Sequence, residues 1–442
     1  MRLKLLFISF LISIYTFGQS EFQITNNQKK VVIPFKLINN LIFIPIKVNG
    51  EDLTFLLDTG VEETILFSLD DKEQIQFFHI EKLKLSGLGN NEAVESYKSS
   101  KNKLDANGYV DLDHEIYLVL DQEFNFSSQV GIPVNGIIGY HFFKNHKVEI
   151  NYGKKKVIIY SDTNKKLEKR LNRNFSKESI AIEESKPYFT SKITQNDKEV
   201  PSKLLLDTGN SDALWVFLNR TKDLVLPLHT IHDFLGRGFS GEIYGNRARL
   251  TSFSFGNNTF KNPIVTFPDS TSNKNVNFVA DRVGSIGGEV MSRFTVIFDY
   301  RNNTIYTRPN DKLNDPFNFN MSGIEVEHAG LEWAKESFDD TRFGGVKVYS
   351  GTSDERVQNN LQVKFELKPI FRIANIRADS NAEKAGLKKG DKILKINGTN
   401  VHDLSIEKIN ELLKSEEGKI IKMEVERNNI SNTYKFQLKS IL

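Results

Sequence analysis

Apolar runs of strand length, broken by turn residues, dominate the chain from residue 30 to residue 308. Residues 41–48 (LIFIPIKV) and 53–57 (LTFLL) flank Asn49-Gly50, a dipeptide suited to tight hairpins because both positions tolerate positive φ. Residues 31–35, 115–120 and 156–160 predict further strands, the last after a turn over 151–155. Helical periodicity of any length is hard to find before Ile406. This stretch therefore reads as closed or partly closed all-β units. After Pro309 the pattern changes: a polar linker over 310–316 precedes a strand at 324–327 and a stretch to about residue 357 that follows neither period. Strands at 371–376 and 420–427 bracket a helix at 406–414, whose Ile406, Ile409, Leu412 and Leu413 share one face.

The apolar runs belong to a repeat. Leu56-Leu57-Asp58-Thr59-Gly60 recurs as Leu205-Leu206-Asp207-Thr208-Gly209, 149 residues on, and Gly87-Leu88-Gly89 recurs as Gly236-Arg237-Gly238 at the same offset. Gly136-Ile137-Ile138-Gly139 returns as Gly284-Ser285-Ile286-Gly287, and residues 147–152 return as 295–300, both at 148. Four landmarks in one order at one spacing define two copies of a unit of about 150 residues. The boundary between them falls in the polar, charged stretch 161–179.

A length of 442 residues accommodates about three domains, which suits two repeats and a C-terminal region. The formal net charge of +3 gives no reason to expect a nucleic-acid partner or adhesion to anionic lipid. Residues 1–20 have the layout of a secretory signal peptide: Arg2 and Lys4, an apolar run over 5–17, then the small residues Gly18 and Ser20. That run is too short for a comfortable anchor, and no later segment approaches 18 uninterrupted apolar residues, so an exported chain with no stable membrane anchor is expected. With no cysteine there is no thiol nucleophile, disulfide, lipid attachment or cysteine metal site. His229 and His232 have an H-x-x-H spacing without the Glu of H-E-x-x-H and read as a solvated pair. No P-loop, Gly-x-Ser-x-Gly or dinucleotide fingerprint is present.

One Asp-Thr-Gly is a turn signal and little more. Two of them, each ending an apolar strand in equivalent copies, can be brought face to face by a two-fold axis. Like charges about 3 Å apart do not both ionise, so such a pair shares one proton. The ionised member takes a proton from bound water while the protonated member polarises a carbonyl. Glycine at the third position lets backbone N–H approach the carboxylate, and the Thr hydroxyl is placed to bond across the axis.

At these residues the chain resembles the retropepsin and pepsin group of aspartic proteases, over residues 30–308. The resemblance implies two pseudo-symmetric β-barrel lobes, catalytic Asp58 and Asp207, a dyad shaped by Thr59, Gly60, Thr208 and Gly209, and no cofactor or metal. The sequences 136–139 and 284–287 look like the element that the family places behind its catalytic loop. Gly87, Gly89, Gly236 and Gly238 fall where the family has its flap; two flaps make the likeness closer to a fused retropepsin pair than to pepsin. Val61 and Asn210 stand where the family usually has Ala or Ser.

The C-terminal Ala385-Gly386-Leu387, Gly390-Asp391 and Ile396-Asn397-Gly398 resemble the punctuation of a PDZ domain, a small β-barrel with a helix. The resemblance implies capture of peptide C-termini by strand addition, with Phe371 and Ile373 on the receiving strand and a carboxylate loop at 368–371. Pro369, which has no N–H, stands in that loop. The whole chain is thus expected to be mainly β: a signal peptide over 1–20, lobes over 21–165 and 166–310, and a PDZ-like domain over 317–442. The expected function is that of an exported, periplasmic or secreted, monomeric aspartic endopeptidase acting on peptides or proteins. The alternative is a non-catalytic periplasmic peptide-binding or scaffold protein on the same folds.

Overall fold

A computed structural model describes residues 21–69, 75–85, 94–119, 126–238, 241–274, 276–339 and 361–442. The chain is mainly β. In the first repeat, strands Leu41–Val48 and Glu51–Leu57 pair antiparallel, closed by Asn49 (φ 51°) and Gly50 (φ 102°), as the dipeptide predicts. Among the described residues they sit in a nine-stranded sheet, and the second repeat forms a ten-stranded one. In each, the strand that ends at Asp-Thr-Gly lies parallel to the strand from the later glycine landmark: Phe55–Leu57 beside Gly136–Ile138, and Leu204–Leu206 beside Gly284–Ile286.

A six-stranded sheet joins the repeats. Lys30–Pro34, Lys156–Tyr160 and Lys147–Asn151 come from the first copy; Phe294–Asp299, Thr304–Pro309 and Ser176–Ser179 come from the second. At its centre Val148 pairs with Phe298 and Ile150 with Val296. Val296 is the repeat equivalent of Val148, and Phe298 of Ile150, so the exchange is what a two-fold axis through this pair demands. Most buried apolar side chains of both copies and the C-terminal region merge into one core, with smaller separate clusters around Leu167, Tyr188 and Trp215.

The polar stretch between the repeats differs from expectation, since it contains a helix, Lys165–Asn174. Its sequence offers only Leu167 and Leu171 as an apolar stripe, too little for a periodicity signal, yet both are buried and one Asn164 side chain caps the start. Arg170 fixes its position by donating to both oxygens of buried Glu149, at 2.6 and 2.9 Å, where the Tyr160 hydroxyl also donates at 2.7 Å. Burial alone would raise the Glu149 pKa, but these donors outweigh it and hold the carboxyl below the usual range.

The C-terminal sheet runs Ile324–Asp339, Leu361–Ile376, Lys392–Ile396, Ile420–Arg427, Ile430–Gln437. Helix Ile406–Leu413, capped by Ser405, buries Ile406, Ile409 and Leu413. Among the described residues no helix is long and apolar enough to cross a membrane.

Candidate functional site

Each Asp-Thr-Gly follows directly on the end of its strand, Glu51–Leu57 in the first copy and Lys198–Leu206 in the second. The Asp58 N–H donates to Ile138 O and the Asp207 N–H to Ile286 O, both at 2.9 Å, so the glycine-flanked strands hold the two loops from behind. Gly284 is required there because a Cβ would overlap the Trp215 carbonyl. Thr59 and Thr208, both fully buried, bind the loops to each other. Thr59 Oγ1 donates to Leu206 O at 2.6 Å and accepts the Thr208 N–H at 3.0 Å; Thr208 Oγ1 donates to Leu57 O at 2.7 Å and accepts the Thr59 N–H at 3.0 Å.

This brace brings Asp58 and Asp207 together. A Cβ built on Gly60 would stand 3.0 Å from one oxygen of each carboxyl. The Gly60 N–H donates to Asp58 Oδ1 at 2.7 Å and the Gly209 N–H to Asp207 Oδ1 at 3.1 Å. A side chain on Gly209 would overlap the Asp58 carboxyl, so both glycines serve close approach. Burial, then the Asp207 charge, pushes the Asp58 pKa up to about 8 against the opposing Gly60 and Gly209 amides. Burial also raises Asp207, but the Arg282 cation opposes it. The two carboxyls therefore titrate as one coupled pair that shares a proton, with Arg282 opposing the rise on the Asp207 side.

Arg282 was not singled out by sequence. It is buried, its Nε donates to Gly284 O at 3.1 Å, and its guanidinium lies 5.0 Å from the Phe278 ring centre and 5.5 Å from that of Phe217. The available signal was asymmetry: the first copy has Val134 at the equivalent position, so a charge interrupts only one of two matched apolar strands.

Gly236 and Gly238 fall on the hairpin Ile231–Gly238 and Gly241–Arg249; Gly236 has φ 139° at a break in register, and Gly238 pairs with Gly241. Leu85 pairs with Val94 in the first copy; Gly87 and Gly89 lie outside the described residues. His232 on the second hairpin meets Asp269 at 3.1 Å. A cavity of ≈ 810 Å³ touches this hairpin at Leu235 and Arg237, the loop after Asp207 at Ser211 and Asp212, and the C-terminal region at Glu325 and Lys414.

A second constellation looks catalytic and is sealed. His114 Nδ1 lies 2.7 Å from Asp111 Oδ2 and its Nε2 2.7 Å from Thr64 Oγ1, but all three residues are at most 1% exposed, which leaves no approach for a substrate. Among the described residues no group of three or more His, Asp or Glu is arranged to hold a metal ion.

Phe371 and Ile373 are not placed as the sequence suggests. Their strand is interior, paired with Ile324–His328 on one side and with Lys392 and Ile393 on the other, and both side chains are buried. It has no free edge for a peptide. Residues 368–371 form no loop either: Lys368 pairs with Glu332 and Pro369 with Leu331 in a long hairpin. The missing signal was the strand Ile324–Asp339, whose length beyond residue 327 shows no alternation in sequence; it takes the sheet edge.

A family model described as PDZ domain matches residues 372–427, and the chain carries a PDZ domain there. Among solved structures the chain is similar to the aspartic proteinase from Irpex lacteus, at 12% identity and a TM-score of 0.41, over 65% of this chain and 99% of that one. No curated protein matches the sequence.

Proposed function

We propose that the chain is an exported aspartic endopeptidase. One observation carries this reading: two Asp-Thr-Gly loops from equivalent repeats are braced into a carboxyl pair, Asp58 buried and Asp207 half-buried, whose environments differ because Arg282 opposes the rise in pKa at Asp207. A water held between the carboxyls would lose a proton to Asp207 and attack the scissile carbonyl carbon, while Asp58 gives its proton to the carbonyl oxygen. Collapse of the tetrahedral diol breaks the C–N bond, the amine leaving with the proton held by Asp207 as Asp58 takes back one from the diol. The hairpin bearing Gly236 and Gly238, and its counterpart in the first copy, would close over the peptide. Export rests on the character of residues 1–20, and the PDZ domain supports peptides or proteins as partners.

Digestion of a peptide library, with and without a statine-type transition-state mimic, tests the reading. Cleavage that the mimic blocks and that Asp58→Asn abolishes supports it. Retention of peptides without cleavage would support the binding-protein alternative.

A further inference from the structure

A peptide that extends a PDZ sheet needs a free strand edge and lays its side chains against the neighbouring helix. In this chain those elements are the edge strand Ile324–Asp339 and helix Ile406–Leu413, which pack beside each other. The first lobe already reaches them. Its short helix Phe126–Val130 lies against the same edge strand, with Val130 only 2% exposed. Gly131 follows, turned by a φ of +71°, and a Cβ built on it would lie 3.3 Å from Ile406 Cγ2 and 3.5 Å from Ile406 Cβ. One turn along that helix, Asn410 Nδ2 donates to Asn39 Oδ1 of the first lobe at 3.1 Å.

We propose that segment Phe126–Gly131 is a built-in occupant of the PDZ groove, so that a peptide entering the groove must displace it. The occupant carries two large apolar residues one turn apart, Phe126 and Val130, beside the apolar Ile406 end of the helix that Gly131 meets. It is also tied to the aspartates. The chain runs from Gly131 through Asn135 into Gly136–Ile138, whose Ile138 carbonyl accepts the Asp58 N–H. Asn39 holds the PDZ helix while its neighbour Asn40 donates from Nδ2 to Ser211 O, in the loop after Asp207, at 3.1 Å. Groove occupancy and dyad geometry are thus linked through one turn and one short segment, and by reciprocity each biases the other. Occupancy itself does not depend on whether the dyad cuts peptides.

The chain has no cysteine, so Gly131→Cys with Ile406→Cys would give a single disulfide in the full-length protein, and a Cβ separation near 3.5 Å suits one. The probe is a fluorescein-labelled decapeptide pool with free apolar C-terminal residues, followed by anisotropy. The bond should form in the folded chain, and the oxidised form should bind the pool about tenfold or more weakly than the reduced form, since only the fraction with an open groove binds. Val130→Asp and Phe126→Ser, which need no left-handed cysteine, should bind the pool more tightly than the unaltered chain. Failure of the disulfide to form in folded protein, equal binding by oxidised and reduced forms, or no gain in binding by either release variant would each overturn the proposal.

Discussion

Thr59 and Thr208 exchange hydrogen bonds across the lobe boundary, each hydroxyl accepting the other's amide and donating to the carbonyl just before the other's aspartate. Each aspartate loop is therefore held by the opposite lobe as well as by the strand behind it. Thr208→Val keeps the shape but orphans the Thr59 N–H and the Leu57 carbonyl, at about 1–3 kcal/mol for each buried group. Thr208→Ser should retain most of the stability, and the double Thr59→Val, Thr208→Val change should cost less than the sum of the singles because both act on one network. Urea unfolding of the unaltered chain and the four variants checks this; additive losses would show that the two hydroxyls act separately.

Asp58 and Asp207 should also act as a unit in turnover. On the proposed mechanism Asp58→Asn, Asp207→Asn and the double change each remove nearly all activity. If instead each copy paired with its own counterpart in a second chain, either single variant would leave one site intact, and measurable turnover in a single variant would reveal it. The same pair sets a pH dependence of stability. Asp58 has a folded pKa of about 8 against 3.8 for the free carboxyl, so the native state holds an extra proton between those values. Its contribution is full below 3.8, declines as pH rises and is gone above about 8. Asp58→Asn should flatten that decline in thermal unfolding measured from pH 4 to pH 8. Turnover should fall on the alkaline side as Asp58 loses its proton.

The strands and the pairing of the two copies were legible because repeated apolar runs, Asn49-Gly50 and the glycine landmarks are local signals. What failed to read out depended on the third dimension. Leu167 and Leu171 are buried on a helix that Arg170 ties to Glu149, 21 positions earlier, a contact no local pattern announces. Phe371 and Ile373 look like an edge from the order of motifs, and only the pairing of Ile324–His328 with their strand makes them interior. Arg282 carries no motif; its role follows from what Phe217, Phe278 and Asp207 place around it.

Arg282 gives a directional test of the charge assignment. Its cation lowers the Asp207 pKa against the burial that raises it, so Arg282→Met should raise it. The acid limb of the pH–rate profile, which requires ionised Asp207, should then move to higher pH, with Arg282→Lys between the two. A uniform drop in rate without a shift of that limb would mean that Arg282 only packs the site.

Histidine burial should impose the opposite pH trend in the first lobe. His141 has a buried Nδ1 without a partner among the described residues, and burial, then His114 and Lys144, lowers its pKa from 6.5. The unfolded chain therefore takes up a proton that the native state refuses. Stability from this group is complete above 6.5 and is lost as pH falls toward the folded value. Below pH 6.5 it opposes the trend set by Asp58, one proton against one, so thermal stability should level off there rather than climb steadily into acid. His141→Phe, which fills the space without a titrating group, should remove the acid loss and leave a steady rise as pH falls, measured by unfolding at closely spaced pH values. An unchanged acid limb in that variant would place the loss elsewhere.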